Sequence, residues 1–362
     1  MITYSSLLND DKLSYIRMMT NTKFMLYTSK IAGLGSYVPE NIVTNDELSK
    51  RMDTNDKWIT ERTGIKERRH IKDRAEGETP VASMGVKAAK IALERAQIDK
   101  NDIDLIVFAT LSPDYYFPGS GVIVQDLLDI KTVPALDIRN QCSGFVYGLS
   151  VADQFIKTGM YKNVLLIGSE NHSGGLDMTT RGRGVSVLFG DGAGAAVLTR
   201  SKDPQKGILS THLHSQGKHA LELSLKGPST NHWVPEIIAE NPQEDIPYYP
   251  YMNGQFVFKN AIRRFSEVIE EGLSANKLSK EDIDLFIPHQ ANLRIAEYIQ
   301  KKFALSDDQV YNNIQKYGNT TAASIPIALT EAWERDKVHE GDHVVLAAFG
   351  SGFTWASAVI RW

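Results

Sequence analysis

Two stretches of the sequence carry one pattern: Ile98–Thr110, IDKNDIDLIVFAT, and Leu278–Gln290, LSKEDIDLFIPHQ. Each reads as a helix end, a polar turn, the tripeptide Asp-Ile-Asp and a short apolar run. Such a run, bounded by turn residues, suits a strand buried on both faces of a sheet that helices cover. The matching ends, Thr110 and Gln290, stand 180 residues apart. The echo continues outward. CSGFVYGLSVADQFIKTG from Cys142 is an apolar-periodic helix followed by the strand NVLLIGS, Asn163–Ser169. NTTAASIPIALTEAWERD from Asn319 is likewise helical, followed by HVVLAAF, His343–Phe349. FGDGAGAAVL at Phe189–Leu198 matches FGSGFTWASAVI at Phe349–Ile360, each a glycine turn entering a strand.

Three echoes in one order point to an internal duplication. The expected architecture is α/β, with two pseudo-symmetric halves at residues 29–204 and 205–362. Residues 1–28 read as an extension, and the halves join near Gln205–Asn260. A pseudo-twofold axis would bring corresponding strand ends together, and those ends carry Cys142, His289 and Asn319.

Composition narrows the function classes. The chain has 362 residues, and charged residues make up 23% with a net charge of −4. That balance predicts no nucleic-acid binding, so an acidic partner would need a local basic patch. Cys142 is the single cysteine. It excludes a disulfide within the chain and fits a reducing, cytoplasmic setting. No apolar run approaches the roughly 20 residues that span a bilayer, so no membrane insertion is expected. The N-terminus lacks the apolar core and small-residue site of a secretory leader.

Several motifs invite other chemistry and fail on spacing. GLGSYVPE has a Gly-x-Gly without the third glycine of a dinucleotide fingerprint, and GDGAGA has no following Lys-Ser/Thr. His212, His214, His219 and His232 match no standard zinc spacing, so no metal is expected.

Cys142 follows the buried segment PALDIRN and precedes a helix. A free cysteine is most often a small buried hydrophobe. At a helix N-terminus, however, the dipole favours thiolate. His289, just past a strand, also suits a structural role, and Asn319 suits an ordinary N-cap. The functional reading rests on all three lying at corresponding places of the repeat.

The chain resembles the beta-ketoacyl-acyl-carrier-protein synthase III family of the thiolase superfamily. The resemblance runs from about Ser29 to Trp362, through DKWITERTGIKERRHI (Asp56–Ile71), QCSGFVYGLSVADQ (Gln141–Gln154), LFGDGAGAAVL (Leu188–Leu198), PHQANLRI (Pro288–Ile295), YGNTTAASIP (Tyr317–Pro326) and FGSGFTW (Phe349–Trp355). It implies a thiolase-like fold layered αβαβα. It also implies condensation of an acyl-CoA primer, acetyl-CoA by default, with malonyl-acyl carrier protein, which initiates fatty-acid synthesis. Coenzyme A thioesters would be substrates, with no resident cofactor. Cys142, His289 and Asn319 would be catalytic, with the backbone N–H groups of Cys142 and Ser351 as oxyanion hole. Thr54, Trp58, Arg62 and Arg181 would bind coenzyme A, with Trp58 and Arg181 holding the adenine. Phe117 would reach the acyl pocket across a homodimer interface, and Lys259, Arg294, Lys301 and Lys302 would dock the carrier protein.

Relatives separate by inventory. A biosynthetic thiolase needs a second cysteine; elongating ketosynthases use two histidines, where Asn319 stands here. A hydroxymethylglutaryl synthase uses a glutamate base, which gives Glu170 and the nearby His172 interest. A ketide-forming relative with another primer or acceptor, and a silent carrier-binding scaffold, are the alternatives. The departures are Ser351 where the family usually has glycine, Asn140 and Gln141 before the cysteine, and the long linker Lys226–Gly254.

Overall fold

The computed structural model describes residues 27–227, 229 and 249–362. Most of the expected extension and most of the linker Lys226–Gly254, with His232, lie outside the described residues.

The repeated tripeptide has a shared structural job. Ile103 and Ile283 are both buried. Asp104 accepts from the backbone N–H groups of Lys162 and Asn163 at 2.8 and 3.0 Å, and Asp284 accepts from that of His343 at 2.8 Å. In each half the second aspartate therefore caps the start of the neighbouring parallel strand, satisfying backbone donors that burial would otherwise orphan.

The strands, in chain order, are β1 (Thr28–Tyr37), β2 (Ile42–Thr44), β3 (Glu67–Arg69), β4 (Leu105–Ala109), β5 (Ala135–Ile138), β6 (Asn163–Glu170), β7 (Gly192–Ser201), β8 (Gly207–Ser215), β9 (Leu223–Ser224), β10 (Tyr251–Met252), β11 (Leu285–Pro288), β12 (His343–Gly350) and β13 (Thr354–Arg361). One sheet has the order β1-β7-β6-β4-β5, the other β8-β13-β12-β11. The pairings correspond: β1 with β7 and β8 with β13 are antiparallel, as are β7 with β6 and β13 with β12, whereas β6 with β4 and β12 with β11 are parallel. The fifth strand of the first sheet, β5, has as counterpart only a parallel bridge from Phe286 to Val310. Duplication is thus visible in backbone pairing as well as in sequence.

Alternation along the strands builds the layers. Val107, Val164 and Leu166 face Leu285, Ile287, Val344 and Leu346 across a central layer formed by the helices Gly144–Lys157 and Ser324–Glu334. Ile106, Phe108, Leu165 and Ile167 face the opposite way, under the helices Pro80–Ala96 and Ser120–Leu127. Phe286, Val345 and Ala347 lie under Gly254–Ala275 and Leu293–Phe303. The order is helices, sheet, helices, sheet, helices: the expected αβαβα arrangement.

One detail of the repeat differs from the sequence reading. Gln141 and Thr321 both have left-handed backbone, φ 44° and 47°, and each opens a 3-10 turn that leads into a central helix. Cys142 is therefore level with Ala322, at the same 180-residue spacing, and not with Asn319. Asn319 enters the site from three residues upstream of that equivalent point.

Candidate active site

Cys142, His289 and Asn319 line one cavity of about 760 Å³ between the halves. All three are buried, whereas Lys259 and Arg294 on the same lining are exposed at its mouth. Apolar side chains, among them Leu223, Phe258, Phe265 and Phe349, form much of the wall.

Cys142 sits in the 3-10 turn Gln141–Ser143 before the central helix. The backbone N–H groups of Cys142 and Ser351 both point at its sulfur and favour the thiolate. Burial, followed by the charge of Glu170, outweighs them and pushes the thiol up to about 12. Desolvation thus outweighs the pull toward thiolate expected at a helix terminus, and the resting group is a thiol. The strand β12 approaches so closely that a Cβ on Gly350 would stand 2.6 Å from the Cys142 Cβ and 2.9 Å from its sulfur. Gly350→Ala should therefore displace the nucleophile and slow acyl-adduct formation, followed by intact mass, about 100-fold, as an ångström-scale misplacement does. Ser351 keeps its backbone donor, and its hydroxyl donates to the Leu223 carbonyl on β9.

His289 follows β11, and its backbone N–H donates to Ala347 on β12. Its Nδ1 is 2.6 Å from the Ser324 hydroxyl, at the start of the central helix. Its Nε2 is buried without a hydrogen-bond partner among the described residues. Burial lowers its pKa to about 3, so the ring is neutral. A serine hydroxyl can accept from Nδ1–H or donate to bare Nδ1. Ser324 thus supports both tautomers, leaving Nε2 a base in one and a donor in the other. Asn319 is held through its backbone by Leu188 and Gly190, and its Oδ1 accepts from the Thr321 N–H at 2.9 Å, which leaves Nδ2 to donate.

Glu170 does not line this cavity. Its carboxylate accepts from Thr110, Leu111, Ser112 and Ala322, and burial raises it to about 7. It is a structural tie between the halves, placed unlike a glutamate base.

The outer residues divide. Trp58 and Arg62 line the mouth, with the Arg62 guanidinium 4.5 Å from the indole centroid. Arg181 does not stand over Trp58. Its Nε is 2.6 Å from Asp177, and its guanidinium is 5.6 Å from the Tyr249 ring. Arg183, which the sequence reading passed over, is 5.3 Å from the Trp58 ring and bonds to Asp53. The doubled arginine in TRGRG was the available signal. Thr54 lies outside the lining, with its hydroxyl unpartnered among the described residues. Phe117 is 81% exposed, next in sequence to exposed Tyr115 and Tyr116, and Leu136 is exposed on β5, which is an edge strand among the described residues. Lys301 is exposed at the end of the helix Leu293–Phe303, while Lys302 pairs with Glu270 at 2.9 Å.

No group of three or more His, Cys, Asp or Glu among the described residues is arranged to hold a metal ion. No described helix is long and apolar enough to cross a membrane.

A family model described as 3-Oxoacyl-[acyl-carrier-protein (ACP)] synthase III matches residues 136–217, and one described as its C terminal matches residues 273–362. The Beta-ketoacyl-[acyl-carrier-protein] synthase III of Aliivibrio fischeri is 47% identical over 333 residues, 92% of this chain and 99% of that protein. The enzyme of the same name from Pectobacterium atrosepticum is 45% identical over 336 residues, 93% of this chain and all of that one. Among solved structures, 3-oxoacyl-[acyl-carrier-protein] synthase III from Aquifex aeolicus superposes with a TM-score of 0.83 at 43% identity, covering 92% of this chain and 100% of that one. The priming beta-ketosynthase of the R1128 polyketide pathway superposes with a TM-score of 0.82 at 30% identity, covering 92% of this chain and 96% of that one.

Proposed function

Because this chain belongs to the beta-ketoacyl-[acyl-carrier-protein] synthase III family, we propose that it condenses an acyl-CoA primer with malonyl-acyl carrier protein, with loss of carbon dioxide. The observation that carries the reading is the trio Cys142, His289 and Asn319 on one largely apolar cavity, with His289 Nε2 unpartnered.

In the first half-reaction the Cys142 sulfur attacks the thioester carbonyl. A carbon–sulfur bond forms to Cys142, the bond to coenzyme A breaks, and the thiol proton passes to the departing thiolate through His289 Nε2. The N–H groups of Cys142 and Ser351, which face the Cys142 sulfur, are assigned to the carbonyl oxygen of the group bonded there, where charge develops. In the second, the malonyl carboxylate leaves as carbon dioxide and the electron pair becomes an enolate. His289 Nε2–H and Asn319 Nδ2–H donate to its oxygen; the enolate carbon attacks the acyl carbonyl, and the Cys142 sulfur leaves as a thiolate that takes up a proton from solvent to restore the thiol. A neutral imidazole and an amide suit this task, because both stabilise negative charge without losing a proton.

Coenzyme A is assigned to the mouth at Trp58, Arg62 and Arg183, where an indole face and two guanidinium groups suit an adenine nucleotide. Arg181 joins them only by exchanging its Asp177 contact for the ligand. Thr54 is assigned to the same region on the resemblance alone. The exposed apolar strip Tyr115–Phe117 with Leu136 is assigned to a second copy of the chain, since an unpaired edge strand beside aromatic surface is a natural pairing face. A cytoplasmic location fits the thiol chemistry and the single cysteine.

The carrier protein is assigned to Lys259, Arg294, Lys301 and Lys302. Exposed ion pairs are individually worth under about 1 kcal/mol, so docking rests on several together and weakens with salt. The test separates the half-reactions: a panel of acyl-CoAs for adduct mass, then malonyl-carrier protein for ketoacyl product. Arg294→Glu with Lys301→Glu should raise the KM for malonyl-carrier protein about tenfold and change acyl-CoA loading far less. An equal fall in both half-reactions removes the docking assignment, and an absent ketoacyl product with every primer removes the function.

A further inference from the structure

We propose that His172, through its hydrogen bond to the Thr321 hydroxyl, positions the Asn319 amide for the condensation half-reaction. The inference rests on the function proposed above and adds a residue that the catalytic trio leaves out.

The Asn319 side chain faces the cavity with the correct end only because Thr321 N–H donates to its Oδ1, at 2.9 Å. That donor is available because Thr321 has left-handed backbone, φ 47°. A β-branched residue is strained in this region, so something must hold it there. The Thr321 hydroxyl lies 2.7 Å from His172 Nε2, in a buried contact. The next residue, Ala322, donates its N–H to Glu170 Oε1 at 3.3 Å. Glu170 ends β6, and His172 lies two residues beyond it. The nucleophile's half therefore grips consecutive residues of the turn that aims the other half's amide. Gly168 on the same strand leaves the space: a Cβ there would stand 2.5 Å from the Ala322 carbonyl oxygen.

His172 is itself fixed. Its backbone N–H donates to Asp191 at 2.7 Å, and its ring packs on Phe189 with centroids 4.6 Å apart. Phe189 lines the cavity and bridges to Asn319. Burial holds the ring neutral, with a pKa of about 4, despite Asp191. A neutral ring keeps one donor and one acceptor, so its bond to the hydroxyl persists through the neutral range.

Thr321→Val keeps the branched shape and removes the hydroxyl; Thr321→Ser keeps the hydroxyl. Single-turnover assays should show condensation slowed about 10- to 100-fold in Thr321→Val and in His172→Leu, as misplacement of a positioned group does. Acyl loading on Cys142 should stay within about twofold, and Thr321→Ser should restore condensation to within about threefold. In an Asn319→Ala background, His172→Leu should cost nothing further, because the group it aims is gone. An equal loss of loading and condensation, or an undiminished His172→Leu effect in that background, overturns the proposal. If His172→Leu does not fold, the Val–Ser comparison decides alone. Wild-type protein that loads acyl groups but never decarboxylates malonyl thioesters would sink the reaction reading instead. A crystal structure of Thr321→Val then still decides positioning, an unmoved Asn319 amide overturning it and a rotated one supporting it.

Discussion

Cys142→Ala is expected to carry no acyl group after incubation with any acyl-CoA and to lose turnover on the order of 10⁶-fold, the scale on which removal of a covalent nucleophile acts. No second cysteine can substitute, since the chain has one. The backbone N–H of residue 142 survives the change, as does that of Ser351, so both oxyanion donors remain, but with no sulfur there is nothing for the acyl carbon to bond. The variant should still bind acyl-CoA at the mouth, which is formed by Trp58, Arg62 and their neighbours. It should also still release carbon dioxide from malonyl-carrier protein, because that step uses His289 and Asn319. Mass spectrometry of the intact protein and carbon dioxide release measure the two arms. A stable adduct on the alanine variant would show that another side chain is the nucleophile.

Asn319→Ala is expected to slow condensation on the order of 10²–10³-fold, the usual effect of removing one donor from a developing oxyanion. Loading should change little, because the Asn319 amide is assigned to the enolate oxygen and not to the primer carbonyl. The KM for malonyl-carrier protein should move less than kcat, since charge on the oxygen appears only after decarboxylation begins. His289→Ala should be worse in both half-reactions, because Nε2 is the base in one and a donor in the other. The two variants together thus separate the roles: a normal condensation rate in Asn319→Ala would remove it from the enolate site.

How far the sequence announced this arrangement depends on the range of the interaction concerned. The Asp-Ile-Asp repeat is a local signal, and it marked both strands correctly because each aspartate caps a strand start that burial demands. Strands apolar on both faces announced sheets covered by helices, while the five-layer order came only with the family resemblance. The match of Asn319 with Cys142 slipped by three residues, because helical periodicity alone does not fix where a 3-10 turn begins. The left-handed residues Gln141 and Thr321 set that point, and neither is a residue type that advertises it. No motif announced that Asp177, four residues away, pairs with the Arg181 guanidinium. Contacts such as Ser324 with His289 and His172 with Thr321 join residues 35 and 149 positions apart. No pattern along the chain encodes them. The thiol's raised pKa is of the same kind, being set by burial and by Glu170 at the end of β6.

The most direct measurement of the central claim is a mass chase on the acylated protein. Acyl-CoA is added, excess is removed, and the isolated adduct is mixed with malonyl-carrier protein or with free coenzyme A alone. The account predicts one acyl mass on the peptide containing Cys142, its transfer to the carrier as a ketoacyl product, and one carbon dioxide released for each adduct discharged. An adduct on any other residue, or one that malonyl-carrier protein discharges without carbon dioxide and without a longer carrier-bound chain, would contradict it.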